Sequence, residues 1–231
     1  MMRLHPNHRA RFGDPLQFIP RAITKLNSLW LRYTYPFASI GKKLSAHYTA
    51  YVDREIAHRV KLGNSVTLYK HVWLNVTAQE ESGEPAITLE DGCAIGHRTT
   101  ISAKNCIHLE RNVITAQSVL IMDHGHAYED VTLPIKAQGM SEGGRIRIGQ
   151  GCWIGHGAVI VCTKGELTLG QNCVVAANAL VSRSFPPYSV ISGNPARVVK
   201  QFDPVQKTWV LGSSRPTEIE AAKPEFARQA S

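Results

Sequence analysis

From Ile148 the chain reads IGQGCW (148–153) and IGHGAV (154–159), and after a nine-residue step from Ile160 it resumes as LGQNCV (169–174), VAANAL (175–180) and VSRSFP (181–186). Each hexad opens on an aliphatic residue: Ile148, Ile154, Ile160, Leu169, Val175, Val181. Gly or Ala usually follows, and the fifth position is often small, as at Cys152, Ala158, Cys173 and Ala179. The same grammar occurs upstream in LGNSVT (62–67), LEDGCA (89–94), IGHRTT (95–100) and LERNVI (109–114). A period of six matches neither the helical 3.6 nor the strand 2. It predicts an all-β solenoid in which each hexad is one short strand plus one corner, and three hexads, eighteen residues, close a triangular coil. The openers then point inward and stack coil on coil, and Gly at the second position suits a bend where a Cβ would crowd the chain. A β-sandwich would instead show two-residue alternation with irregular turn spacing.

Working outward, the period is interrupted three times: at Thr77–Ala86 (TAQEESGEPA), over residues 123–145, and at Val161–Thr168. Loops that leave a rigid scaffold are where sites concentrate. Residues 1–38 show no hexads and form an N-terminal basic segment, in which ITKLNSLWLRY (23–33) has the spacing of a short amphipathic helix. The solenoid domain is expected over 39–202, and the tail 203–231, rich in Pro, Lys and Glu, is expected to fray, with TWVLG (208–212) packing locally.

At 231 residues the chain is long enough for one domain and too short for two complete ones. With 43% hydrophobic and 19% charged residues it reads as a folded, soluble protein. No run of 18 apolar residues occurs, and Pro6, Asp14, Pro15 and Pro20 interrupt the region a signal peptide would use, so a cytoplasmic location is expected. The net charge is +8, and residues 1–60 carry ten Lys and Arg against three acids. No nucleic-acid module accompanies this head, so nucleic acid is not an expected partner; a solvated face or peripheral contact with an anionic membrane surface remains. Five cysteines (93, 106, 152, 162, 173) without any CxxC read as small core residues.

The segment from Arg147 to Lys200, closing on FPPYSVISGNPARVVK, resembles the hexapeptide-repeat acyltransferases, which include maltose and galactoside O-acetyltransferases and capsule or exopolysaccharide O-acetyltransferases. The resemblance covers roughly residues 39–202 and implies a left-handed parallel β-helix, acetyl-CoA as co-substrate, no metal and a homotrimer. It further implies direct acetyl transfer to a saccharide or lipid-linked saccharide acceptor in polysaccharide, capsule or exopolysaccharide synthesis. Acyl transfer to a hydroxyl needs a base, and the resemblance puts a histidine at the loop exit, IMDHGHAYED (121–130). Counting from Leu109 places the base on His126, with His124 orienting it or touching the acceptor. Asp123 and Tyr128 in the same run, Trp153 after the loop and Arg98 are the expected acceptor contacts. Arg98, with Ala103 or Lys104, replaces an Asn and Asp of the neutral-sugar enzymes, which favours an acidic or lipid-linked saccharide. The coenzyme A positions fall on His156, Ala177, Ser182, Arg183, Arg197 and Lys200, of which the three cations suit its phosphates.

Rival readings are N-acetylation of an amino sugar, a non-catalytic module, and a γ-carbonic-anhydrase-like metal enzyme using His97 and His156. The two histidines follow IG pairs 59 residues apart, with no further histidine in a supporting hexad, and the PARVV ending favours the transferases.

Overall fold

The computed structural model describes residues 15–77 and 84–211. Its body is a parallel β-helix of three sheets. Sheet A runs through Ser39–Ile40, Val60–Leu62, Ile87–Leu89, Cys106–Leu109, Gly143–Ile148 and Lys164–Leu169. Sheet B runs through Ser45–Ala46, Thr67–Leu68, Ala94–Ile95, Ile114–Thr115, Trp153–Ile154, Val174–Val175 and Ser189–Gly193. Sheet C runs through Tyr51–Val52, Trp73–Val76, Thr100–Ala103, Leu120–Met122, Val159–Val161 and Leu180–Val181.

The hexad openers fall into three vertical columns, as the sequence predicts. In sheet A, Leu62, Leu89, Leu109, Ile148 and Leu169 pair in register. In sheet C, Leu74, Ile101, Ile121, Ile160 and Val181 do the same. All ten are buried, as are the small fifth residues Cys152, Ala158, Cys173 and Ala179. Sheet B carries one polar opener, Thr115, whose Oγ1 accepts the Gly96 N–H at 2.8 Å. That bond meets the requirement that a buried hydroxyl be paired. The Gly at second positions is also explained: a Cβ on Gly96 would lie 2.1 Å from the Ala116 carbonyl oxygen of the next coil.

The insertions obey one rule. From sheet A to B and from B to C the step is always six residues, as in Ile148, Ile154 and Ile160. From sheet C back to A it is ten (Val52 to Leu62), fifteen (Leu74 to Leu89), eight (Ile101 to Leu109), twenty-seven (Ile121 to Ile148) and nine (Ile160 to Leu169). Every excursion therefore leaves from one edge of the prism, between sheets C and A. The strict eighteen-residue coil of the sequence reading is lengthened there and nowhere else among the described residues. The long loop also re-enters earlier than its expected end at 145, because Gly143 and Gly144 already pair with Lys164 and Gly165.

The N-terminal helix is longer than residues 23–33. α1 spans Pro15–Thr34. Pro15 sits at its first position, where a missing N–H costs nothing, and Pro20 removes only one intrahelical bond. Ser28 and Leu31 are buried against the first coil, where Ser28 Oγ accepts the Ala46 N–H at 2.9 Å and Asn27 Nδ2 donates to the Ala46 carbonyl at 3.2 Å. At the other end, the chain expected to fray after Lys200 extends sheet B as an antiparallel hairpin, Ala196–Asp203 with Thr208–Leu211. Phe202 sits between Tyr188 and Trp209, at ring distances of 6.2 and 5.6 Å. Residues 78–83 of the first interruption and 212–231 of the tail lie outside the described residues.

Because each opener touches the openers above and below, Ile121→Ala should cost about 2–5 kcal/mol. Outward-facing Thr168→Ala should stay within about 0.5 kcal/mol. Urea unfolding of the two variants checks the inward column.

Candidate active site

The long loop leaves sheet C after Met122, and its first residue is the anchor. Asp123 is fully buried. Its Oδ1 accepts the Lys104 N–H at 2.6 Å, and its Oδ2 accepts those of Asn105 and Cys106 at 2.9 and 2.8 Å. Its backbone carbonyl accepts the Gly144 N–H at 2.6 Å. One carboxylate thus satisfies three successive amides of the two-residue insertion in the coil below, while the same residue's backbone ties the strand on which the loop returns. A buried charge persists only with such partners. His124 completes the set, its Nδ1 lying 3.0 Å from Asp123 Oδ1, and its side chain is only 5% exposed.

His126 is different. It is exposed, and it sits on a short antiparallel ladder rather than on free loop. The ladder pairs His126 with Met140, the Ala127 N–H with the Gly139 carbonyl at 3.1 Å, and the Ser141 N–H with the Gly125 carbonyl at 2.8 Å. Lys104 Nζ donates to the Ser141 carbonyl at 2.5 Å, tying the ladder to the coil below. His126 Nδ1 lies 3.3 Å from the Gly139 carbonyl oxygen. Donation there assigns the proton to Nδ1 and leaves Nε2 as the basic nitrogen. Tyr128 is two residues on and exposed. Beyond it, a short helix, α2 (Ile135–Gln138), fills the loop.

The other expected residues do not all join this cluster. Ser182 and Arg183 follow the last strand of sheet C, on the same edge as the loop, and the Arg183 guanidinium lies 5.2 Å from the Phe185 ring centre. Arg98, His156 and Ala177 occupy the opposite edge of sheet C, at its corner with sheet B, where the Asn178 N–H bonds the His156 carbonyl at 2.8 Å. Arg197, opposite Ser192, extends that edge toward the chain's C-terminal side. Trp153, 52% exposed, and Lys200 lie on the outer part of sheet B. Within a single chain most of the expected residues therefore fall on two different edges of the prism.

Around Lys104 the structure adds residues that the sequence reading did not single out. Beside Asp123, a depression of about 430 Å³ is lined by Arg59, Lys104, Asn105, Arg145 and Glu166. Its signal in the sequence is the run of lengthened steps at one corner. His97 and His156 share an edge but are separated by the Gln117 coil, and His97 stacks on Tyr69 at 5.2 Å. Cys93, Cys152, Cys162 and Cys173 are buried. Burial pushes the Cys93 thiol up to about 11 and raises Cys106, while the Cys173 contact and burial raise Cys152. The raised thiols are poor nucleophiles, and Cys173, lowered by its contact with Cys152, is shut away from solvent.

No family profile matches the chain. It is 30% identical over 191 residues to a Mycobacterium tuberculosis protein named as a probable acetyltransferase, Rv3034c, covering 82% of this chain and 57% of that one. It is 26% identical to Escherichia coli WbbJ, named for O-acetyl transfer in lipopolysaccharide biosynthesis, covering 55% of this chain and 66% of that one. The chain thus spans about half to two-thirds of the length of these relatives. The N-acyltransferase AntD of Bacillus cereus, solved with dTDP and 3-hydroxybutyryl-CoA, superposes with a TM-score of 0.60 at 16% identity, over 77% of this chain and 86% of that one. In sequence and in fold the chain is similar to hexapeptide-repeat acyltransferases. Its fold is their left-handed parallel β-helix, an exception to the right-handed crossover rule.

Asp123 serves here as an acceptor only. Asp123→Asn would turn an amide N–H₂ toward backbone donors at 2.6 to 2.9 Å. It should destabilise the protein by about 1–3 kcal/mol per unmet buried group, and local hydrogen exchange of the 104–106 amides should rise with it.

Proposed function

We propose that the chain transfers an acetyl group from acetyl-CoA to a saccharide hydroxyl, in polysaccharide, capsule or exopolysaccharide synthesis, in the cytoplasm. The transferase domain is residues 39–202, and the working form is a homotrimer. The observation that carries this reading is the division of the site between two edges of one prism: the loop edge holds His126, His124, Asp123, Tyr128, Ser182 and Arg183, and the other holds Arg98, His156, Ala177 and Arg197. Two different edges meeting between neighbours make a heterologous contact that closes into a ring. Trp153 walls the acceptor site, and Lys200 joins Arg183 and Arg197 in binding the donor's phosphates. The cationic depression at Arg59, Lys104 and Arg145 favours an acidic saccharide.

His126 acts as the general base. The acceptor oxygen attacks the thioester carbon as its proton passes to His126 Nε2, and backbone or side-chain donors hold the tetrahedral oxyanion. Collapse of that intermediate releases the thiolate of coenzyme A, which takes the proton back from the imidazolium, and the acetyl ester leaves. No acyl-enzyme forms, in keeping with thiols that are either buried or raised in pKa. His124, closed in against Asp123, positions the loop exit. His126→Ala should lower kcat by about 10²- to 10⁴-fold with acetyl-CoA binding nearly intact, and His124→Ala should cost less in steady-state assays with acetyl-CoA and saccharide or amino-sugar acceptors. Activity lost only in His124→Ala moves the base there, and acetylation confined to amines replaces the hydroxyl acceptor.

The composite site has its own test. His126→Ala and Arg197→Glu chains, each nearly inactive alone, should regain activity when assembled together, with about a quarter of the sites intact in a random mixture. A mixture no more active than its parts would put the whole site in one chain.

A further inference from the structure

α1 presents a face that no other element among the described residues covers. At 100° per residue its side chains divide into three arcs. Asn27, Ser28 and Leu31 face the first coil. A second arc carries Arg21, Lys25 and Arg32. The third, about 140° wide, carries Phe18, Ile19, Leu26, Leu29, Trp30 and Tyr33, with exposures of 74, 66, 66, 43, 60 and 79%. Tyr48, at the first corner of the solenoid, continues this apolar surface and lines a shallow depression with Trp30 and Tyr33. An exposed apolar patch of this kind marks an interaction surface.

We infer that α1 is an interfacial helix that lies on an anionic lipid surface. An apolar arc bearing Trp and Leu, flanked by Arg and Lys, is the composition that settles at the boundary of headgroup and acyl chain. Trp and Tyr favour that depth because their rings are apolar and their polar atoms stay wet. The charge selects the lipid class. The helix has no Asp or Glu, and residues 1–34 carry six Lys and Arg against the single acid Asp14. An anionic headgroup layer complements this flank. No helix among the described residues is long and apolar enough to cross a membrane, so the contact is peripheral. It stands or falls separately from the transferase reading, since no residue of α1 is in the proposed site.

The test uses the full chain and sedimentation with vesicles of phosphatidylcholine alone or mixed with phosphatidylglycerol. Binding should be confined to the anionic vesicles and weaken with salt. Leu26→Glu with Trp30→Glu, and separately Arg21→Glu with Lys25→Glu, should each lower the partition coefficient by about tenfold or more. Both pairs are exposed, and unfolding temperature and solution mass, measured alongside, should not change. The Arg21/Lys25 pair keeps the test valid if the apolar pair disturbs folding. Partition that is equal on neutral vesicles, or unaffected by both pairs, overturns the inference. A fall in solution mass in the Leu26/Trp30 variant, with vesicle binding unchanged, would make the arc an interface between copies instead.

Discussion

The inward columns of aliphatic openers govern the rest of the structure. An opener displaced by one residue would face solvent and open a hole at the axis, so two of the three corners hold a fixed six-residue step. Only the corner from sheet C to sheet A changes length, from eight to twenty-seven residues between openers. Extra backbone there must be satisfied locally, and at the 104–106 turn Asp123 does this with both carboxylate oxygens. The scaffold thus confines variation to one edge, and that edge becomes the place where chemistry can be added without disturbing the core.

The same confinement explains why the proposed site divides. The loop edge supplies titratable and hydrogen-bonding groups, because only a lengthened corner can build the ladder that carries His126. The edge between sheets B and C keeps a strict hexad, so its third positions, among them His97, His156 and Ala177, stand as a regular file at the bends. A regular file suits an extended ligand, and a built loop suits a reacting centre. In the proposed trimer, bringing them together between neighbouring chains uses each edge for what its geometry allows.

Much of this was legible in the sequence. The period of six, read on residue type alone, placed the openers inward, the small fifth residues at the corners and Gly96 at a crowded bend, all as found. The length of α1 was not legible, because Pro15 and Pro20 read as breakers, although Pro15 stands at the first position and Pro20 removes only one intrahelical bond. The terminal hairpin was hidden for a different reason: Thr208–Leu211 is exposed along its length and carries no alternation to announce a strand. Nor could the spacing of the site residues show that they occupy two edges. That depends on how insertions accumulate at one corner, a property of the whole column and not of any motif.

The pair of histidines at the loop exit shows how two similar residues acquire different surroundings two positions apart, which the proposed mechanism uses. His124 lies with its side chain 5% exposed against a fully buried carboxylate, and its Nδ1 is committed to Asp123. To serve a bulky sugar acceptor it would have to leave that carboxylate with one partner fewer, in a place where charge is expensive to strand. His126 carries no such obligation: its Nδ1 meets only a carbonyl, its ladder holds the backbone, and its ring faces the open edge. A base must be fixed in orientation yet reachable by the group it deprotonates. The burial that makes Asp123 and His124 a firm anchor is what leaves the accessible position to His126.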